Sequence, residues 1–350
     1  MKARLITAIL ILSAVLSGCA AKDTAKTAET AMPVLTPNIS AVTEYKKTVY
    51  AMDTVMDLKV YAADDEILNA AEQEIYRIEQ LLKRSDENSE IYKINSSEKC
   101  EITEETAYIL NTALETGKET DGAFDISIAP VMDLWGFYGQ KFYVPTEAEI
   151  AEKLALTDYR KIKLSGTTVK TPADMQIDLG GIGKGYTSDR VIELMRDNGA
   201  KSAIISLGGN VQTLGTKPDG SAWNIGIQNP FNTSEYIGGI RVADEAVITS
   251  GGYQRYFMDG DKRYHHIIDP KTGKPSESGL SLVTIVSESG IRADALSTSL
   301  FVMGLEKSSE YWRKHGGFEA VLVTDADKIY VTEGLKDRFK SDREYELINK

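Results

Sequence analysis

The sequence predicts an α+β domain with a mixed, largely antiparallel sheet and flanking helices, and two observations carry that prediction. Short apolar, β-branched and aromatic runs recur through the second half, separated by brief turns of the kind that close hairpins. Helical patterns are interspersed among these runs and do not alternate with them strand by helix, as a doubly wound parallel sheet would require.

The chain opens with MKARLITAILILSAVLSGCA, in which Lys2 and Arg4 precede an apolar run from Leu5 to Leu16 and small residues precede Cys19. This is the pattern of an export leader, too short for a membrane span. It resembles a bacterial lipobox, which implies cleavage before Cys19, lipid on its thiol and membrane attachment without a spanning helix. Residues 1–18 are therefore assigned to a signal peptide, 19–42 to a lipidated cysteine and flexible tether rich in Ala, Thr, Lys and Pro, and 43–350 to one domain.

Within the domain, Val49–Tyr61 reads as a strand, and Asp65–Leu82 as a helix with Ile67, Ala71, Ile75, Ile78 and Leu82 on its apolar side. Thr103–Thr120 reads as a second helix, and Thr146 with Glu149 has the spacing of a capping box for a third. A helix follows the glycines at 180–185 and runs to about Asn198. Short strands are expected at Ala203–Leu207, Trp223–Gln228, Ile237–Val242 and Val247–Ser250. YFMDGDKRYHHII reads as a hairpin with Asp259-Gly260 at its tip. Leu282–Ser287 is a further strand, Ala293–Met303 a helix, and AVLVTDADKIYVT returns to strand.

The formal charge of −12 becomes −14 once residues 1–18, with Lys2 and Arg4 and no acidic residue, are removed. Such an acidic exported chain is a poor partner for nucleic acid. With Cys19 modified, Cys100 is the one cysteine left, so no internal disulfide forms and the fold relies on its core.

Three segments carry chemistry. IDLGGIGKGYTSDRV (177–191) is not a P-loop, because Asp178 stands where the first Gly is needed and Gly185 where Ser or Thr is needed. It is not a dinucleotide loop either, because Tyr186 replaces the third Gly. What remains is a tight turn into a helix, either purely structural or suited to an anion. ADALSTSLFVMG places Asp294, Ser297 and Thr298 at i, i+3 and i+4 on one helix face, a set of hard oxygens that can hold Mg2+ or simply form a polar face. HHIIDPKTGKP holds His265 and His266, of which an alternating strand turns one toward any given pocket, where a neutral imidazole can act as a general base. No G-x-S-x-G elbow and no Cys/His cluster accompanies them.

Taken in order, MDT (52–54), DGAFDISIAPVMDLWGF (121–137), IDLGGIGKGY (177–186), SLGGN (206–210), TSGGY (249–253), HIIDPKTGKP (266–275) and ADALSTSLFVMG (293–304) resemble the FAD:protein FMN transferase family, formerly described as ApbE-like thiamine-biosynthesis lipoproteins. The resemblance implies an ApbE-like single catalytic domain that uses Mg2+ to move FMN from FAD onto a Thr or Ser hydroxyl of another protein, releasing AMP. It implies FAD contacts from Asp178 and Lys184, and flavin-nucleotide contacts from Met52, Ala123, Phe124, Asp125 and Ile268. It also implies metal contacts from the Gly181 carbonyl, Asp294 and Thr298, with Ser297 standing where family members can have Asp. His266 matches the family histidine and is the candidate for accepting the hydroxyl proton. Two other departures are Asp53, where Gly is usual, and Ser85, where related sequences carry an aromatic. The implied partners are exported or membrane redox flavoproteins with a D-x-x-[ST]-G-A-T-like segment. This chain has no Ala-Thr dipeptide and is not its own acceptor by that motif. An FAD pyrophosphatase and a noncatalytic flavin-binding lipoprotein are the alternatives.

Overall fold

The computed structural model describes residues 42–350, so the leader, Cys19 and the tether up to residue 41 lie outside the described residues. Nine strands form one sheet, and their order across it is their order along the chain: Thr43–Ala51, Thr54–Ala62, Ser202–Leu207, Asn210–Leu214, Ala246–Gly251, Leu280–Ser287, Glu319–Thr324, Ile329–Thr332 and Tyr345–Ile348. Every neighbouring pair is antiparallel except the last, which is parallel. The expected mixed, largely antiparallel sheet is thus found, with most of the helices inserted in the long connection between Ala62 and Ser202.

Among the described residues seven α-helices accompany the sheet: α1 (Glu66–Leu82), α2 (Glu90–Asn95), α3 (Glu104–Glu119), α4 (Ala129–Leu134), α5 (Glu147–Leu154), α6 (Gly183–Asp197) and α7 (Gly290–His315). On one face, Ile75 of α1 and Val191 and Met195 of α6 pack on Leu58, Val60 and Ile205, while Leu296, Leu300 and Phe301 of α7 pack on Ile248, Val283 and Leu322. The other face is covered by a three-stranded sheet of Trp223–Gln228, Tyr236–Val242 and Phe339–Lys340. Strand alternation divides each central strand between these layers. Ala320 and Leu322 go to the helices, and Val321 and Val323 to the small sheet. Truncating a fully buried ring such as Phe301 would cost about 3–5 kcal/mol.

Three expectations are corrected in detail. The single strand at Val49–Tyr61 is a hairpin, closed by Met52 and Asp53 with φ of 50° and 57° between the pair Ala51 and Thr54. Two successive positive φ angles define a tight I′-like turn, and Asp tolerates that conformation, which is how Asp53 stands where Gly is usual. The helix expected to end at Met303 meets Gly304, whose φ of 79° breaks the helical path before a second stretch continues to His315. The hairpin at 256–265 pairs Asp259 with Lys262, so its two-residue tip is Gly260-Asp261. The capping box of Thr146 and Glu149 forms as its spacing requires.

Candidate active site

The site is built where the first turns of α6 and α7 lock together. A Cβ on Gly185 would lie 2.3 Å from the Gly290 carbonyl oxygen and 2.6 Å from Asp294 Cβ, and one on Gly290 would lie 2.7 Å from the Gly185 carbonyl oxygen. Only hydrogen at both positions allows the two backbones this approach. Each helix then accepts free N–H groups from the first turn of the other. Asp294 Oδ2 of α7 accepts the Gly185 N–H at 2.8 Å, and Asp189 of α6 accepts the N–H groups of Gly290 at 2.7 Å and Ile291 at 2.8 Å. Gln212 Nε2 donates to Asp189 as well, at 2.8 Å. Burial pushes the Asp189 carboxyl above its ordinary range while these donors oppose the shift.

This lock sets out a row of oxygens along α7. Asp294 is 5% exposed, and its Oδ1 has no hydrogen-bond partner among the described residues. Thr298, one turn on, is half-buried, and its Oγ1 would lie 3.7 Å from a Cβ on Gly181, so the glycine turn passes directly beside it. Ser297, the further candidate for an ion contact, is fully buried, donates to the Asp294 carbonyl at 2.8 Å and meets Ser250 Oγ at 2.7 Å. Ser250, unremarked in the sequence, also lies 3.3 Å from Thr298 Oγ1.

Among the described residues no three Cys, His, Asp or Glu side chains gather closely enough to hold a metal. The donors that are available, one carboxylate oxygen, one hydroxyl and backbone beside them, are all hard oxygens. That set fits Mg2+, which binds through one or two carboxylates and completes its shell with water and substrate phosphate. It does not fit Zn2+, which takes His and Cys.

Lys184 occupies the first turn of α6, half-buried and in no ion pair among the described residues. A cation there opposes the helix dipole and is left to find an anion elsewhere. Its charge reaches His266, whose pKa burial pushes well below the usual histidine value, with Arg255 and Lys184 acting in the same sense. His266 Nδ1 lies 3.0 Å from the Arg255 carbonyl oxygen, which can only accept, so Nδ1 carries the proton and Nε2 keeps its lone pair. His265 is different. Its Nε2 donates to the Ser276 carbonyl at 3.1 Å and its Nδ1 accepts the Ile267 N–H at 3.3 Å, so both nitrogens are used in the frame.

The remaining predicted residues surround this centre unequally. Asp178 Oδ1 accepts the Gly180 N–H at 2.7 Å, and its Oδ2 faces Arg84 Nη1 at 3.3 Å. Met52 donates its N–H to Glu79 Oε1 of α1 at 2.8 Å and meets Thr187 of α6 through its sulfur, which brings the first hairpin to the glycine turn. Phe124 is buried, with its ring edge 3.1 Å from a Cβ on Gly181, and Ala123 is buried beside it. Asp125 is turned away from solvent and bonds Ser127 N–H and Oγ at 2.8 and 2.6 Å and the Tyr159 N–H at 3.1 Å, so its carboxylate shapes the segment. Ile268 pairs with Pro275 and packs in the core with Val131 and Trp135. Arg84 and Asp189 were not singled out by sequence, because each acts on partners about a hundred residues away.

The sequence model of the ApbE family matches residues 52–322. An FAD:protein FMN transferase of Klebsiella pneumoniae is 33% identical over 315 residues, covering 87% of this chain and 97% of its own length. One from Treponema pallidum is 30% identical over 324 residues, covering 85% of this chain and 90% of its own. Among solved structures, the ApbE protein of Thermotoga maritima superposes with a TM-score of 0.79 at 33% identity, over 86% of this chain and all of the other. The flavin transferase ApbE of Vibrio cholerae gives 0.77 at 26% identity, over 85% and 99%. With most of its length matched at this identity and in this fold, the chain belongs to the ApbE family.

Proposed function

We propose that this protein is an FAD:protein FMN transferase that moves FMN from FAD to a Thr or Ser hydroxyl of an acceptor flavoprotein and releases AMP, with Mg2+ as cofactor. The single observation that carries the reading is Lys184, a cation with no ion pair among the described residues, in the first turn of α6 beside Gly185, whose N–H meets Asp294, and acting on the neutral His266. An anionic group entering here meets a positive charge and a helix N-terminus together. Asp294 and Thr298 would hold Mg2+, which would supply charge stabilisation at phosphate oxygens.

The residues of the chain divide the rest of the work. Lys184 binds the pyrophosphate and offsets the negative charge that builds as the acceptor oxygen approaches the FMN phosphorus. His266 Nε2 takes the hydroxyl proton while the new P–O bond forms. The bond between that phosphorus and the bridging oxygen breaks, and AMP leaves with the bridging oxygen and the electron pair. Asp178, fixed by Arg84 and Gly180, positions the nucleotide.

Incubation of the protein with FAD, Mg2+ and an acceptor domain carrying a D-x-x-[ST]-G-A-T segment tests this directly. Covalent FMN on the acceptor with equimolar AMP is expected. Free FMN alone would identify a pyrophosphatase, and intact bound FAD a binding protein. We extend the proposal to location: Cys19 carries lipid and holds the domain outside the cytoplasmic membrane face. Mass spectrometry of the native N-terminus is expected to find lipidated Cys19, and cleavage elsewhere would reject the anchor. No helix among the described residues is long and apolar enough to cross a membrane.

A further inference from the structure

The loop between α4 and α5 carries a ring whose seating calls for an explanation. Tyr138 is 43% exposed, yet one face of it is covered: the Arg84 guanidinium lies 4.6 Å from the ring centroid. Arg84 is itself held on several sides. It makes a two-pronged pair with Asp133 at 2.8 and 3.0 Å, and it reaches Asp178 and Gln176 at 3.3 Å each. Its side chain is 8% exposed, and Nε is buried with no partner. A buried guanidinium tied to two carboxylates is a rigid seat, because its planar fork is fixed by the Asp133 pair. The ring rests against this seat, which restrains it, and much of its remaining surface is exposed.

The place of this ring in the site is set by its neighbours. Phe137, the residue before it, contacts the His266 ring at 6.4 Å between centroids. Arg84, beneath it, holds Asp178, which caps Gly180 at the glycine turn. Tyr138 is thus tied to the site through its chain neighbour Phe137 on one side and through Arg84 and Asp178 on the other. The aromatic that sequence singled out, Phe124, is buried beneath Gly181 and has no open face to offer.

We infer that Tyr138, seated on Arg84, is the stacking platform for the isoalloxazine ring of FAD, a binding role that rests on the proposed reading of the site. A large planar heteroaromatic gains most from a rigid ring presented face-on, since little side-chain freedom remains to be lost on binding. An oxidised flavin is electron-poor, and a tyrosine in van der Waals contact donates an electron to its excited state and quenches its emission. Phenylalanine stacks without this quenching.

The test uses the full-length protein in detergent with FAD and EDTA, so that binding is read without turnover. Wild type is expected to bind FAD with short-lived flavin emission. Tyr138→Phe keeps the affinity within about twofold and lengthens the emission lifetime, whereas Tyr138→Leu weakens binding about tenfold and also lengthens it. Thermal unfolding checks that both variants remain folded, as an exposed position allows. A Tyr138→Leu variant that binds as tightly as wild type, or a Tyr138→Phe variant whose bound flavin is as dark as wild type, overturns the platform. Failure of the wild type to bind FAD at all removes the reading of the site on which the platform rests, and the platform with it.

Discussion

The two ends of the glycine-rich segment are five residues apart and do different work. At Gly185 the backbone of α6 meets the backbone of α7, and each helix accepts free N–H groups of the other through Asp294 and Asp189. At Gly180 and Gly181 the turn lies in the open rim, bordered by side chains: Phe124, Thr298, and Asp178 with its Arg84 partner. The inner end is a framework and the outer end is a binding surface. Substitutions at the first should appear in stability, and substitutions at the second in FAD affinity and rate.

The largest effect is expected for Gly185→Ala. Its Cβ meets a backbone carbonyl that cannot rotate away, so urea unfolding should show a loss of about 3 kcal/mol or more. An unchanged midpoint would break the comparison at its strongest point. Asp189→Ala comes next, because it strands two buried N–H groups at the start of α7, and about 2–3 kcal/mol should be lost.

Asp294 belongs to both regions and separates them when changed conservatively. In Asp294→Asn the amide oxygen still accepts the Gly185 N–H, so stability should fall by less than about 1 kcal/mol. Turnover at limiting Mg2+ should nevertheless fall at least tenfold, equivalent to about 1.4 kcal/mol of barrier. Equal turnover in Asp294→Asn and Thr298→Val proteins would take the ion away from this helix.

Lys184→Met should move the two readouts in opposite directions. Removing a cation from a helix N-terminus is worth about 0.3–1 kcal/mol in favour of the fold, while the KM for FAD should rise. A destabilised variant with unchanged KM would assign Lys184 to the framework. The smallest effect is in the pH profile. Burial holds the His266 pKa down, so the imidazole stays neutral as pH falls through about 6.5, and the acid limb of transfer should lie below that value. Lys184→Met, which removes one of the opposing charges, should move that limb upward. An acid limb at or above 6.5 in wild type would contradict the role given to His266.

The framework was the less legible region. Helix α1 follows from apolar residues repeating at helical spacing, and the order of the motifs carries the family. Asp189 looks in sequence like one more polar residue on a surface helix, and only the fold brings it to Gly290. Ser250 lies in a segment that was noticed, but its partners Ser297 and Thr298 come from another element. The first hairpin reads as one strand in the sequence because Met52-Asp53 lacks the Asn-Gly pattern that marks such turns. Ser297 has the spacing that places it on one face with Asp294 and Thr298, and the fold adds what spacing does not give, its bonds to the Asp294 carbonyl and Ser250. Spacing along a helix gives the direction of a side chain. Its hydrogen-bond partners are decided by whatever packs against it.

The claim that the chain delivers FMN to a protein hydroxyl, with His266 taking the proton, is tested most directly by measuring both products of one reaction. Wild type and His266→Asn are each incubated with FAD, Mg2+ and an acceptor domain carrying a D-x-x-[ST]-G-A-T segment, and acceptor-bound FMN and free FMN are counted separately, with FAD affinity measured alongside. The account predicts FMN predominantly on the acceptor for wild type, and for His266→Asn unchanged FAD affinity, slower transfer and a product ratio shifted toward free FMN. Equal transfer rates and equal ratios in the two proteins would contradict it.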